Sequence, residues 1–260
     1  MNRTAGRSVV TVAGTLAVAF GLCAPACFDF GNYTLRGEAN DVDAGADAPE
    51  PDGSSSCTPP VPGGACGTTP VCGCEEGQTC DVVGYDGVTA CMQDKGLALG
   101  DVCAGLFEGC GWGLTCADGT CKRFCSSGRA CGSESACYQV VYATDGGTAL
   151  IPGMKVCTDQ CDLMSQEGCG QGAGCYPYGQ LGVQPGHSVC RLAGGSTQAC
   201  QSNEDCMPGR GCGEDGQCRF WCRYGVPVDC TPPLKCATLK VGESTGFFYL
   251  GDQAYGLCLK

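Results

Sequence analysis

The chain has 260 residues, 28 of them cysteine, 44 glycine and 14 proline, with a formal net charge of −12. Cysteine at about 11% marks a disulfide scaffold, while Leu, Ile, Val and Phe fall to roughly a sixth of the residues, too few to close a large core without cross-links. The acidic groups are spread along the chain and no run of Lys or Arg interrupts them, which excludes a nucleic-acid partner, since phosphate recognition needs concentrated positive charge.

Residues 1–26 place Arg3 and Arg7 ahead of an apolar run from Val9 to Leu22, followed by Ala24-Pro25-Ala26. This pattern predicts a signal peptide: the apolar run suits an h-region and is too short to span a bilayer. The mature chain is then expected in an oxidising, extracytoplasmic compartment. Parity sharpens the processing, because the 26 cysteines from Cys57 to Cys258 suffice for thirteen bridges and leave Cys27 over. A lone cysteine directly after a small residue resembles the lipidated cysteine of bacterial lipoproteins. That likeness predicts an outer-membrane or cell-surface location with a lipid on Cys27 as the sole membrane contact; the alternative is plain secretion after cleavage nearby. Residues 27–56 read as an acidic disordered tether, with seven acidic residues and one basic between Phe28 and Ser56 and no long apolar stretch.

Beyond the tether the spacing of cysteines predicts a variant cysteine-rich module over 57–91, a module over 92–157, a half-module over 158–190 and a module over 191–260 that repeats 92–157. Four times the chain runs Cys, five residues, Cys, a turn-containing stretch, Cys: Cys74/Cys80/Cys91, Cys131/Cys137/Cys157, Cys169/Cys175/Cys190 and Cys230/Cys236/Cys258. Eight cysteines from Cys103 to Cys157 match eight from Cys200 to Cys258 in their gaps, at an offset of about 97 residues. The last segment of each unit predicts a β-hairpin: Tyr138–Ala143 with Thr148–Val156, Asp81–Tyr85 with Val88–Ala90, and Ala237–Val241 with Phe247–Leu250 about a Gly-Glu-Ser-Thr-Gly turn. Flanking cysteines such as Cys137 and Cys157 would then meet across the hairpin base; direct pairing is one geometry open to them, and the connectivity does not follow from sequence. Glycine and proline interrupt every helical periodicity. The expected fold class is small disulfide-rich repeats: short β-hairpins and loops, very little helix, no large hydrophobic core.

The segment from Gly100-Asp-Val-Cys103 to Cys125, with Gly113-Leu114-Thr115-Cys116 and Asp118-Gly119-Thr120-Cys121-Lys122, resembles the small cysteine-rich modules of myxobacterial secreted proteins and lipoproteins. The likeness covers most of residues 57–260 and implies an acidic tether behind a lipoprotein-type leader. The stretch Cys200-Gln-Ser-Asn-Glu-Asp-Cys206 through Cys212 to Cys218 is similar, over about twenty residues, to the Dickkopf-type N-terminal cysteine-rich pattern. Receptor binding is not transferred from so short a match.

Candidate chemistry is sparse. No Cys-x-x-Cys occurs and there is one histidine, so zinc ribbons and thioredoxin-like redox sites lose their main support, and no metal or cofactor is expected. His187, three residues before Cys190, would serve a Cys/His nucleophile only if Cys190 were a free thiolate. The carboxylate pairs Glu75/Glu76, Glu204/Asp205 and Glu214/Asp215 fall in short inter-cysteine loops, where solvated surface is the default. The aromatics Phe220, Trp221, Tyr224, Phe247 and Phe248 are the candidate binding face, for an unknown protein or glycan ligand, although packing against the bridges is the competing role. The resulting expectation is a non-enzymatic extracytoplasmic repeat protein with a binding or structural surface role. The competing classes are a secreted protease inhibitor presenting a loop near Arg129 or Arg210, and a secreted hydrolase built on convergent carboxylates or His187.

Overall fold

Six antiparallel hairpins, each pinned by two disulfides, organise the computed structural model, which describes residues 57–260 except Glu134, Gly146, Gly242 and Glu243. The predicted leader, Cys27 and the acidic tether lie outside the described residues. Within them the regular structure is short antiparallel strand with a few single 3-10 turns, such as Gly128–Cys131, and no α-helix. No helix of the described residues is long and apolar enough to cross a membrane.

One connectivity recurs in all six units. Four cysteines pair first with third and second with fourth: Cys66–Cys80 and Cys74–Cys91; Cys103–Cys116 and Cys110–Cys121; Cys125–Cys137 and Cys131–Cys157. The series continues as Cys161–Cys175 and Cys169–Cys190; Cys200–Cys212 and Cys206–Cys218; Cys222–Cys236 and Cys230–Cys258. The third and fourth cysteines of every unit are register partners in its hairpin, as in Cys80↔Cys91 and Cys175↔Cys190. Directly opposed residues point to one face of a strand pair, and on that face each meets a cysteine from the chain that precedes the hairpin, a loop in most units and the strand Cys218–Arg223 for Cys222 of the last. Direct pairing across the hairpin base is therefore not used: Cys137 and Cys157 oppose each other but bond to Cys125 and Cys131. A base bridge would duplicate what the hydrogen-bond ladder already holds, whereas a bridge to the loop closes chain that has no ladder, worth about 3 kcal/mol for a loop near fifteen residues.

The hairpins built on Cys137–Thr144 with Gly147–Cys157 and on Gln78–Val82 with Thr89–Gln93 form where the turn residues predict them. The last unit departs from expectation. Ala237–Val241 does not pair with Phe247–Leu250; instead Leu239–Val241 folds onto Ser244–Gly246, and Phe248–Leu250 pairs with the final strand Gln253–Leu259. That strand also takes Cys218–Arg223 and Lys235–Ala237 as neighbours, giving a five-stranded sheet where the other sheets have two strands.

Apolar burial is divided accordingly. One cluster gathers Val82, Phe124, Val140, Ile151, Met154 and Val156; the other gathers Leu163, Trp221, Leu239, Phe248, Tyr255 and Leu257 against three cysteines. Neither draws on one unit alone: Val82 of the first unit packs with Val140 and Ile151 of the third. Between the second and fourth units lies a buried ion pair, Lys122 Nζ to Asp159 Oδ2 at 2.6 Å. The same ammonium donates to the Cys190 carbonyl at 2.8 Å, and Asp159 Oδ2 accepts the Cys190 N–H at 2.7 Å. Nearby, Arg191 pairs with Glu204 and stands 4.0 Å from Asp118, which accepts a hydrogen bond from the Tyr138 hydroxyl at 2.7 Å. Burial and the Asp118 charge push that phenol well above its ordinary range.

Candidate ligand groove

The five aromatics singled out by sequence are split by the fold. Along Cys218–Arg223 successive side chains alternate faces, so Trp221 is 1% exposed inside the C-terminal cluster while Phe220 is 54% exposed. Phe248 is also core, and its neighbour Phe247 is half-buried with its ring 4.3 Å from that of Tyr224, which is exposed. Phe220 is covered in part by the Arg210 guanidinium, 3.9 Å from the ring centroid. A face made of all five does not form, because the pleat sends Trp221 and Phe248 inward.

A different aromatic stands out. Trp112 is 66% exposed and forms one wall of a groove of about 530 Å³ lined by Thr69, Pro70, Val71, Leu114, Arg123 and Ser126 among others. That size lies in the usual range of ligand clefts, roughly 300–1,000 Å³. The turn carrying Trp112 is fixed on both sides. Gly111 donates to the Leu97 carbonyl at 2.9 Å and its carbonyl accepts from Leu114 N–H at 3.0 Å; Gly113 donates to Thr79 Oγ1 at 3.0 Å. Glycine is needed at both flanks: a Cβ on Gly111 would strike the Leu97 carbonyl, and Gly113 has φ +75°. With Pro70, Val71 and Leu114 in the same lining, Trp112 belongs to an apolar patch rather than standing as a lone exposed side chain, and such patches mark contact surfaces.

The opposite wall is the turn between Gly67–Thr68 and Val71–Cys72. This two-residue strand pair would be marginal alone, and it is stapled by Cys57–Cys72, the one bridge among the described residues that stands outside the recurring pattern. The exceptional disulfide thus sits at the groove. Arg123 is the sole charged side chain in the lining, it is exposed, and no described residue gives its guanidinium a hydrogen bond or ion pair. Elsewhere in the first unit Asp81 is fully buried; its Oδ1 accepts Val82 N–H at 2.8 Å while Oδ2 has no hydrogen-bond partner among the described residues. Burial pushes its carboxyl up to about 6, against the lowering effect of the Thr115 hydroxyl and the Val82 amide.

Sequence reasoning passed over Trp112, although it is one of two tryptophans in the chain and is bracketed by glycines. The other sequence candidates lead elsewhere. Cys190 is bonded to Cys169, so the thiol that a Cys/His nucleophile beside His187 would require is not free. Several cysteine triads bring their sulfurs within 4.8 Å, but each sulfur belongs to a bridge, and the triads are neighbouring disulfides rather than thiolate ligand sets. Arg129 sits in the 3-10 turn Gly128–Cys131 and Arg210 in a paired strand, so neither is displayed on an extended loop.

The fold and this groove define a disulfide-rich protein of small braced hairpins, a construction consistent with an extracellular, oxidising setting. No family model matches the chain, and neither a curated protein nor a solved structure matches it.

Proposed function

We propose that this chain is a non-enzymatic, extracytoplasmic binding protein of the cell envelope, anchored through a lipid on Cys27, whose six braced hairpins are repeats of one four-cysteine unit. The reading rests above all on the groove: a solvent-facing tryptophan on a hydrogen-bonded turn, opposite a wall that carries its own additional disulfide. In this arrangement the bridges supply stiffness and the loops between them supply the surface, so that little ordering entropy is lost when a ligand is seated.

Two measurements test the reading on the native full-length protein. Intact mass with thiol labelling before and after reduction is expected to show no free thiol from Cys57 to Cys258 and a diacylglyceryl-type mass on Cys27. Free thiols in that range would reopen metal and catalytic readings. For binding, Trp112 is exposed and Trp221 buried, so acrylamide should quench mainly Trp112. Envelope glycan extract from the producing cells is expected to shield it, and unchanged quenching would overturn the binding role.

A further inference from the structure

We infer that the Trp112 groove takes an oligosaccharide carrying a single carboxylate, with a pyranose ring stacked on the indole of Trp112 and the carboxylate held by Arg123. This rests on the binding reading above and names its ligand class. The open face of an indole carries the negative lobe of its quadrupole and attracts the polarised C–H face of a sugar ring. Thr69 and Ser126 line the same groove, and their hydroxyls are of the kind that partners a saccharide.

The charge argument selects the carboxylate. In a chain of net charge −12, several cations of the described residues are committed to carboxylates: Lys95 to Glu108, Lys122 to Asp159, Arg191 to Glu204, Arg219 to Asp215, Arg223 to Asp229. Arg123 has no such partner among the described residues and lines the groove, where its planar fork can donate bidentately to a carboxylate. The overall acidity opposes a densely charged polyanion, so the ligand presents its charge at one point. An acidic peptide would satisfy Arg123 as well, but Pro70, Val71 and Leu114 flank an exposed flat indole in an open groove and do not enclose a deep pocket for an anchoring side chain.

The probe is xylotriose bearing one glucuronic acid, titrated into the full-length protein while acrylamide quenching of tryptophan is followed, with plain xylotriose as its neutral twin. Shielding of Trp112 by the acidic sugar is expected, with affinity at least tenfold above the neutral one. Arg123→Met should abolish that preference while leaving weak binding of both, and Trp112→Ala, which removes the fluorescent reporter and is followed by calorimetric titration instead, should abolish binding of both. Unchanged bridge mapping and circular dichroism of each variant show that it has folded. Equal binding of the two sugars, or an Arg123→Met variant that keeps the preference, would overturn the carboxylate assignment. Shielding by the peptide Asp-Ala-Pro-Glu-Pro-Asp, the chain's residues 47–52, without shielding by either sugar would overturn the saccharide class yet leave the groove a binding site. The reading of the groove itself fails only if envelope extract also leaves Trp112 unshielded.

Discussion

At the scale of single residues, the fold keeps a carboxyl where it is costly. Asp81 is fully buried with one oxygen unpaired among the described residues, and its carboxyl titrates near 6 rather than at the ordinary 3.8. The folded state therefore holds the proton more tightly than the unfolded one. The contribution to stability is complete below about pH 3.8 and is lost as pH rises through about 6. A shift of this size corresponds to at most about 3 kcal/mol. Asp81→Asn removes the ionisation while its amide oxygen can still accept the Val82 N–H. The variant is expected to be more stable than the parent at pH 8, by up to that amount, and to show no gain at pH 3.5. Urea melts at the two pH values check this; an equal effect at both would assign the change to packing rather than to charge.

At the scale of elements, the thirteenth bridge should separate from the other twelve. Cys57–Cys72 closes a loop of 15 residues around a strand pair of two residues each, so the double substitution Cys57→Ala, Cys72→Ala is expected to loosen the Thr69–Pro70 wall and leave the six units intact. Peptide mapping should recover twelve native bridges, and ligand shielding of Trp112 should fall. Cys103→Ala with Cys116→Ala removes a unit bridge and should instead cost about 3 kcal/mol in the stability of its own hairpin, seen as faster amide exchange at Leu114–Arg123. Hairpins of this kind were legible in the sequence because each carries its markers locally: a cysteine on both strands and a Gly- or Asp-rich turn between them. Connectivity was not, since spacing fixes order along the chain and not which loop lies over which face. The final hairpin was misplaced because Gly246 ends one short ladder and Phe248 begins another against a strand that follows it, a choice made by the buried cluster around Trp221. The groove escaped notice because its lining is brought together from three units and its one strong signal, Trp112, has no periodic neighbours.

At the scale of the whole molecule, the units do not follow one another like beads, for next-but-one neighbours also touch. Val82 of the first packs with Ile151 of the third; Lys122 of the second pairs with Asp159 beside the fourth; Gly182 of the fourth donates to the Phe247 carbonyl of the sixth at 2.9 Å. Each hairpin carries its own two bridges, so what one such contact decides is how units are held against each other. The Lys122–Asp159 pair is the sharpest case, because both groups are withdrawn from water and Asp159 Oδ2 also holds Cys190 N–H. Removing the cation alone leaves a buried carboxylate uncompensated, a loss of roughly 3–5 kcal/mol. Lys122→Met is therefore expected to raise amide exchange in His187–Leu192 and to open the chain near residue 159 to limited proteolysis, with all thirteen bridges still formed. Adding Asp159→Asn removes the stranded charge and keeps an acceptor for Cys190, so the double variant should recover much of the protection. If Lys122→Met alone left exchange in that strand unchanged, the buried pair would not be what joins the second unit to the fourth, and the Thr120 hydroxyl bond to the Cys190 carbonyl, at 2.8 Å, would be the contact to remove next.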